Sequence, residues 1–452
     1  MMGHVSFFSQ ARVSQDITKP IVATEDLAAG QTIFQEIAIV SSGFGHSFDD
    51  CGCHGDDEPV EAHVEPETLD EDDLETVSPA VVQEFDALMS YCEGHPVLSM
   101  VDIRKNLFKL LRLYELDATS LTLLLTLEIN KEEASEYLEA ATGLRREHPN
   151  IIPPGLSDDD VAHLIGLLNN KYCHALEEIQ GSGVFIYMSL LAHSCLPNCN
   201  LTVTGNTMWL TAIRPIAANE VLTVDVADLF YRPLQERRDL LENDKIPCNC
   251  DLCSCILPDY ARAFKCQDCA DGIVHPLDDV FSCTKCNVKW TAEQIAAVEA
   301  QEKSLVEELD VTSLEALDAS IASSLLHPYH FIFFWALDDL NSICVEEDFP
   351  DVELAKIYRR ILECLNYTLP YPHDEKVQHY DHLAQTLISI GDIAGAKEAY
   401  EHAYALSCLC SGKDYDESLL YERLMKDTPT NKDEMLIAYG LDVDAVHNDD
   451  AP

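Results

Sequence analysis

Apolar residues return at three- and four-residue intervals through the second quarter of the chain. Leu107, Leu110, Leu111 and Tyr114 make one such stripe; Val161, Leu164, Leu167 and Leu168 make another. This period puts each set on one helix face, so residues 102–180 are expected to be helical. Pro153-Pro154-Gly155 interrupts the block, and Ser157-Asp158-Asp159-Asp160 supplies the acceptor and acidic first turn of a new helix. On either side the sequence turns β-prone. Ile21-Val22-Ala23-Thr24 and Thr32-Ile33-Phe34 predict paired strands, with Ala29-Gly30 as the turn between them. Val184-Phe185-Ile186-Tyr187, Leu201-Thr202-Val203-Thr204, Met208-Trp209-Leu210-Thr211 and Val221-Leu222-Thr223-Val224 predict further strands. Gly205-Asn206 is the hairpin turn between the second and third of these.

Helical period resumes from about 291 to 440. Gly391, Ala396, Tyr400 and Ala403 match the second helix of a tetratricopeptide-type hairpin, where small residues admit a close neighbour and the aromatic fills the gap. One such unit is clear, and a repeat array and a plain helical bundle both fit the remainder. The class this predicts is α+β, with a β-rich part, an inserted helical block and an α-helical C-terminal region.

Charge changes the picture next. The chain has 80 acidic against 29 basic residues, a formal net charge of −51, yet 47% of its residues are hydrophobic. A globular fold is expected, with a surface that repels phosphate backbones, so no direct nucleic-acid binding is expected. A basic, lysine-rich protein partner is the kind such a field attracts, although acidity also serves plain solubility. Between Lys19 and Arg104 there is no Lys or Arg at all, and residues 49–76 read as a solvated, disordered acidic loop. No run approaches the length of a membrane span, and the first residues carry no basic stretch leading into a long apolar run.

Eighteen cysteines without a secretory signal point to metal sites and buried thiols in a reducing compartment, the cytoplasm or the nucleus. Cys248-Asn-Cys250-Asp-Leu-Cys253 packs three thiols into six residues, one short of a tetrahedral zinc site. Cys195, in the turn His193-Ser-Cys195-Leu-Pro197-Asn198, is the candidate fourth ligand. Cys266-x2-Cys269 followed by Cys283-x2-Cys286 has the spacing of a zinc ribbon, a second structural zinc. Cys199 and Cys255 are left as packing thiols.

The order of these elements resembles the SET-domain proteins of the SET-and-MYND (SMYD) family, protein-lysine methyltransferases that use S-adenosylmethionine. Gly181-Ser-Gly183-Val-Phe-Ile-Tyr187, Ser189-Leu-Leu and Ala192-His193-Ser194-Cys195-Leu196-Pro197-Asn198 are similar to the family's core run, and Arg237-Arg238-Asp-Leu-Leu to the segment before its cysteines. The resemblance implies residues 1–40 as the N-terminal part of a SET domain, 41–100 as an acidic insertion and 101–180 as a helical insertion. The SET core would run over 181–230, a zinc-bound post-SET segment over 231–257 and the ribbon over 258–292. A helical domain over 293–440 and an acidic tail over 441–452 complete the chain. It also implies Cys195, Cys248, Cys250 and Cys253 as structural zinc ligands, and Ala192 and His193 as the cofactor-binding positions.

Departures from the family pattern fall where the chemistry would occur. A Gly-x-Gly that lets backbone approach the cofactor corresponds to Thr18-Lys19-Pro20, and glycine alone permits that approach. The cofactor-binding Asn corresponds to Ala192, two channel tyrosines to Val226 and Asp244, and the adenine-stacking aromatic to Ile246. Tyr231 is the nearest substitute phenol. The family's finger of seven Cys and one His is missing from 41–100, where Cys51, Cys53, Cys92 and His95 leave at most a single site. Two functions therefore stand: a protein-lysine methyltransferase with an unusual pocket, and a catalytically inactive SET-fold scaffold that binds partners through its acidic insertion and helical domain. The spacing of His193 and Cys195 also suits a Cys-His hydrolase, but a thiolate bound to zinc is no free nucleophile.

Overall fold

The computed structural model describes residues 8–9, 12–14, 19–43, 79–89, 95–116, 118–130, 132–347 and 349–441. The acidic loop at 49–76, Cys51, Cys53 and Cys92 of the single-site option, and the tail from 442 lie outside the described residues. The chain forms two compact units, one of residues 1–10, 35–190 and 203–209, the other of 11–34, 191–202 and 210–452.

In the first unit, Ser41–Gly43, Gly181–Val184 and Cys173–Leu176 make an antiparallel sheet with Gly181–Val184 in the middle. Gly181 has to be glycine, because a Cβ there would overlap the Ser42 carbonyl. Helices Val101–Leu116, Ala118–Leu124, Ala134–Glu147 and Asp158–Leu168 form the helical block, which stops at Leu168 and not at 180, since Cys173–Leu176 is drawn into the sheet by pairing with Gly181–Val184. Both predicted stripes are in place, with Leu107, Leu110, Leu111, Val161, Leu164, Leu167 and Leu168 all buried. The start at Ser157 is a capping box: its Oγ accepts from the Asp160 N–H at 3.1 Å while its own N–H donates to Asp160 Oδ2 at 2.9 Å.

The strand predicted over Val184–Tyr187 ends instead at Val184. The buried Glu36 carboxylate takes the next amides, accepting from Ile186 at 2.7 Å, Tyr187 at 3.1 Å and Met188 at 2.8 Å. Those donors are lost to any ladder, and the backbone coils into a 3-10 turn at Met188–Leu190.

In the second unit the predicted pairing of Ile21–Thr24 with Thr32–Phe34 is replaced. Val22 bridges Val221 and Ala23 bridges Val13. The turn before Thr32 is wide, with Leu27 exchanging backbone bonds with Ile216 and the Gln31 side chain accepting from Ala28 N–H. Of the predicted Val221–Val224 strand, Thr223–Val224 remains and runs parallel to Ala192–His193. The Gly205-Asn206 turn, which belongs to the 203–209 stretch of the first unit and has Gly205 at φ 53, separates Cys199–Thr204 from Thr207–Ala212 as expected.

From Ala292 to Ala438 the chain is helical, and from Phe331–Glu346 through Asp416–Lys426 each helix packs on the next. Asp374–Ser389 and Ile393–Cys410 are joined through Gly391 at φ 81, and Ala396, Tyr400 and Ala403 are fully buried between helices. The ribbon strands Phe264–Lys265, Ile273–Leu277 and Val280–Cys283 share this core. Phe264, Phe281 and Trp290 pack into the same apolar cluster as Phe331, Phe334 and Leu337. No helix of the described residues is long and apolar enough to cross a membrane.

Candidate metal centres and the motif beside them

The turn His193–Asn198 carries Cys195 inward, and the end of helix Leu234–Asn243 leads the chain to the second cysteine cluster. Cys195, Cys248, Cys250 and Cys253 offer sulfurs that all lie within 4.8 Å of one another, as do Cys266, Cys269, Cys283 and Cys286. Every described cysteine is a free thiol. The Sγ–Sγ separations are 3.6 Å for Cys195–Cys253 and 3.7 Å for both Cys266–Cys286 and Cys269–Cys283. A disulfide needs about 2.05 Å. Four sulfurs about 2.3 Å from one zinc lie about 3.8 Å apart along the tetrahedron's edges, so both sets fit the ion.

Electrostatics agree with the geometry. The Cys195 thiol hydrogen-bonds its neighbours, which drives the Cys248 thiol far down and brings Cys250 to about 6. Cys195 itself is pushed well up by the same contacts. Protons cannot satisfy four sulfurs at once, whereas one divalent cation can. In the ribbon, burial raises the Cys283 thiol, but N–H donors from Cys286 and Lys285 outweigh it and bring it down to about 7. Gly272 sits against that cluster, and a Cβ there would overlap the sulfurs of Cys283 and Cys269.

His193 is buried and faces the first centre, with Nε2 3.4 Å from Cys195 Sγ and Nδ1 3.5 Å from Asp225 Oδ1. Burial raises the Asp225 carboxyl, against the pull of His193 and of N–H bonds from Leu229 and Ala227. The His193 ring is thus engaged by the cysteine centre, and Ala192 beside it offers only a methyl group. Val226 is 49% exposed, Asp244 caps helix Leu234–Asn243, and Ile246 packs against the cysteine cluster. Tyr231, the possible replacement phenol, is committed elsewhere. It stacks on Phe334 at 3.8 Å and donates to the Tyr329 carbonyl at 2.9 Å. Its φ of 57 turns it into the helical core.

Cys199 is buried and donates to Asn198 Oδ1, with burial lifting its thiol to about 12, as a packing thiol should. Cys255 meets Arg238 Nη2 at 3.4 Å and stands outside the four-sulfur set. Three contributors to this neighbourhood were given no role from sequence: Asp225 beside His193, Arg237, which lines a cavity with Cys195, and Tyr371, whose hydroxyl donates to the Cys195 carbonyl at 3.4 Å. Of these, the Arg237-Arg238 pair alone carried a sequence signal.

Residues 19–225 match the model of the SET domain, a little under half of the chain. Over shorter stretches the chain is similar to SMYD methyltransferases. It is 36% identical over 81 residues to histone-lysine N-methyltransferase SMYD3 of Mus musculus, covering 18% of this chain and 19% of that protein. It is 31% identical over 110 residues to N-lysine methyltransferase SMYD2-A of Xenopus laevis, covering 23% and 25%. The chain therefore spans a quarter or less of the length of these curated relatives. A solved SET domain of LSMT bound to lysine and AdoHcy aligns over 97% of this chain and 94% of that one, at 10% identity and a TM-score of 0.25.

Proposed function

We propose that this is a SET protein of the protein-lysine methyltransferase type, with S-adenosylmethionine as methyl donor and a lysine on a basic protein segment as acceptor. The observation that carries the reading is the SET-domain match over residues 19–225, which takes in both Ala192–His193 and the strand Thr223–Val224 paired with it. In this reading the donor supplies the methyl group, and the Ala192–His193 backbone borders it. The acidic surface draws in a lysine-rich partner. Free thiols throughout the described residues suit a reducing compartment, the cytoplasm or the nucleus.

A second reading, a SET-fold scaffold without catalysis, draws support from one specific observation. The positions where the family places side-chain contacts hold Ala192, exposed Val226 and Asp244, while Tyr231 is tied into the core. A site lacking these groups leaves polar atoms of the donor unpaired. Calorimetric titration with S-adenosylmethionine separates the two. Saturable micromolar binding is expected for the enzyme, and no heat at millimolar donor would leave the scaffold reading standing.

A further inference from the structure

We propose that the cavity of about 370 Å³ between the start of helix Leu234–Asn243 and the ribbon hairpin is a docking pocket for a basic side chain, lysine or arginine, carried on a protein segment. The proposal rests on the reading of the partner as basic, and it holds whether or not the protein transfers a methyl group.

The volume lies at the low end of the range of about 300–1,000 Å³ in which proteins hold small ligands, so it suits a single side chain. Its wall has two characters. Leu252, Leu257, Pro276 and Phe331 supply an apolar surface, while Glu236, Asp259, Asp278 and Glu302 bring four carboxylates against the one guanidinium of Arg262.

The inner charges are already matched. Arg262 turns Nε and Nη2 onto Glu302, at 2.8 Å and 2.6 Å, and lies over the Phe281 ring, so its charge is engaged within the wall. Asp259, 6% exposed, accepts from the Leu234 N–H at 2.7 Å and faces Arg237 Nη1 at 3.4 Å. The outer charges are not matched in this way. Glu236 lies 3.5 Å from Arg232, and both side chains are more than a third exposed. Asp278 is exposed in the turn between strands Ile273–Leu277 and Val280–Cys283, at φ 53, and has no paired cation among the described residues. The mouth therefore carries surplus negative charge beside an apolar wall.

Lysine and arginine match that order of surfaces. Each lays an aliphatic stem along apolar wall and keeps its charged head at the wet end, where Glu236 and Asp278 stand. One sign of charge around a low-dielectric cleft also focuses the field and concentrates cations there. An anion is the wrong ligand, although a helix N-terminus borders the cavity: Asp259 takes the Leu234 N–H, and Glu236 occupies that first turn. The net charge of −51 attracts cations to the whole surface, and this cavity adds a place for the stem.

The test titrates the full chain, without S-adenosylmethionine, with fluorescently labelled hexalysine and follows anisotropy. Glu236→Gln combined with Asp278→Asn is expected to weaken binding about 3- to 10-fold, the scale of two partly exposed ion pairs. Asparagine tolerates the φ of Asp278, so the fold is preserved. Glu293→Gln combined with Asp279→Asn removes the same charge from exposed positions outside the lining, and should weaken binding less than about twofold. Carbodiimide cross-linking, which joins carboxylates to the peptide's amines, should place its main adducts on Glu236 and Asp278. The same affinity in the two double variants, or adducts spread evenly over the acidic surface, overturns the pocket and leaves the basic partner standing. Hexalysine that does not bind the wild type at all removes the basic partner, and the pocket with it.

Discussion

Asn198 and Thr223 are tied in both directions: the Thr223 N–H donates to Asn198 Oδ1 at 2.7 Å, and the Asn198 N–H donates to the Thr223 carbonyl at 3.2 Å. The Asn198 Nδ2 adds bonds to the Val221 carbonyl at 2.8 Å and Glu220 Oε1 at 3.1 Å. This buried amide clamps the turn that carries Cys195 to the strand beside it. Asn198→Asp keeps the acceptor but removes both Nδ2 bonds and sets a carboxylate against Glu220. A loss of about 2–4 kcal/mol is expected in denaturant unfolding. An unchanged midpoint would show that the turn is held by other means.

At the ribbon, the critical position is Gly272. A methyl group there has nowhere to go, since the sulfurs of Cys283 and Cys269 already occupy its space. Gly272→Ala is expected to cost the protein one zinc of two. Because Phe281 stacks on Trp290 within the shared core, tryptophan fluorescence should change as well. Retention of both metals would mean that the ribbon can widen without losing its ion.

Glu302 gives a pH signature that is independent of any metal. It accepts from Arg262 Nε at 2.8 Å and Nη2 at 2.6 Å, and lies 3.1 Å from His330 Nε2. Burial raises its carboxyl, but the His330 and Arg262 contacts outweigh this and bring it down to about 2 from the usual 4.5. A depressed carboxylate contributes stability that is fully present above about 4.5 and is lost as pH falls toward 2. Wild type should therefore exceed Glu302→Gln by about 2–3 kcal/mol at neutral pH, with the gap closing between those values. A gap that does not vary with pH would contradict the assignment.

What the sequence revealed and what it hid divides by the distance between partners. The Ser157 capping box, the Gly205-Asn206 turn and the two cysteine knuckles are local patterns, and each is where its spacing put it. Gly391, Ala396, Tyr400 and Ala403 likewise marked a real helix pair. The pairing of Ile21–Thr24 was misjudged because its partners, Val13 and Val221, are chosen by tertiary context, which a run of β-prone residues does not encode. Tyr371 reaches the Cys195 carbonyl across 176 positions of sequence, and no periodicity reports such a contact. At the motif itself the residues were legible, and the structure adds the groups that hold the His193 ring, a cysteine on one side and a carboxylate on the other.

Glu36 offers the sharpest test of a long-range contact. Its two carboxylate oxygens collect three backbone N–H groups from Ile186 to Met188, about 150 positions away, and it is 1% exposed. Burial raises its pKa, and those three donors are what favour its charged form in so dry a place. Glu36→Gln is nearly isosteric, so packing is preserved and the electrostatics alone are altered. The amide keeps one acceptor for Ile186 and Tyr187 but turns an NH2 toward the Met188 N–H, setting donor against donor. A cost of about 1–3 kcal/mol is expected. Hydrogen exchange should locate it, with faster exchange at Ile186, Tyr187 and Met188 and no change at Asp160, whose capping bond is independent of Glu36. Uniform acceleration across both sites would point to global destabilisation and refute a local clamp, and no acceleration at all would mean that the turn after Val184 forms without the carboxylate.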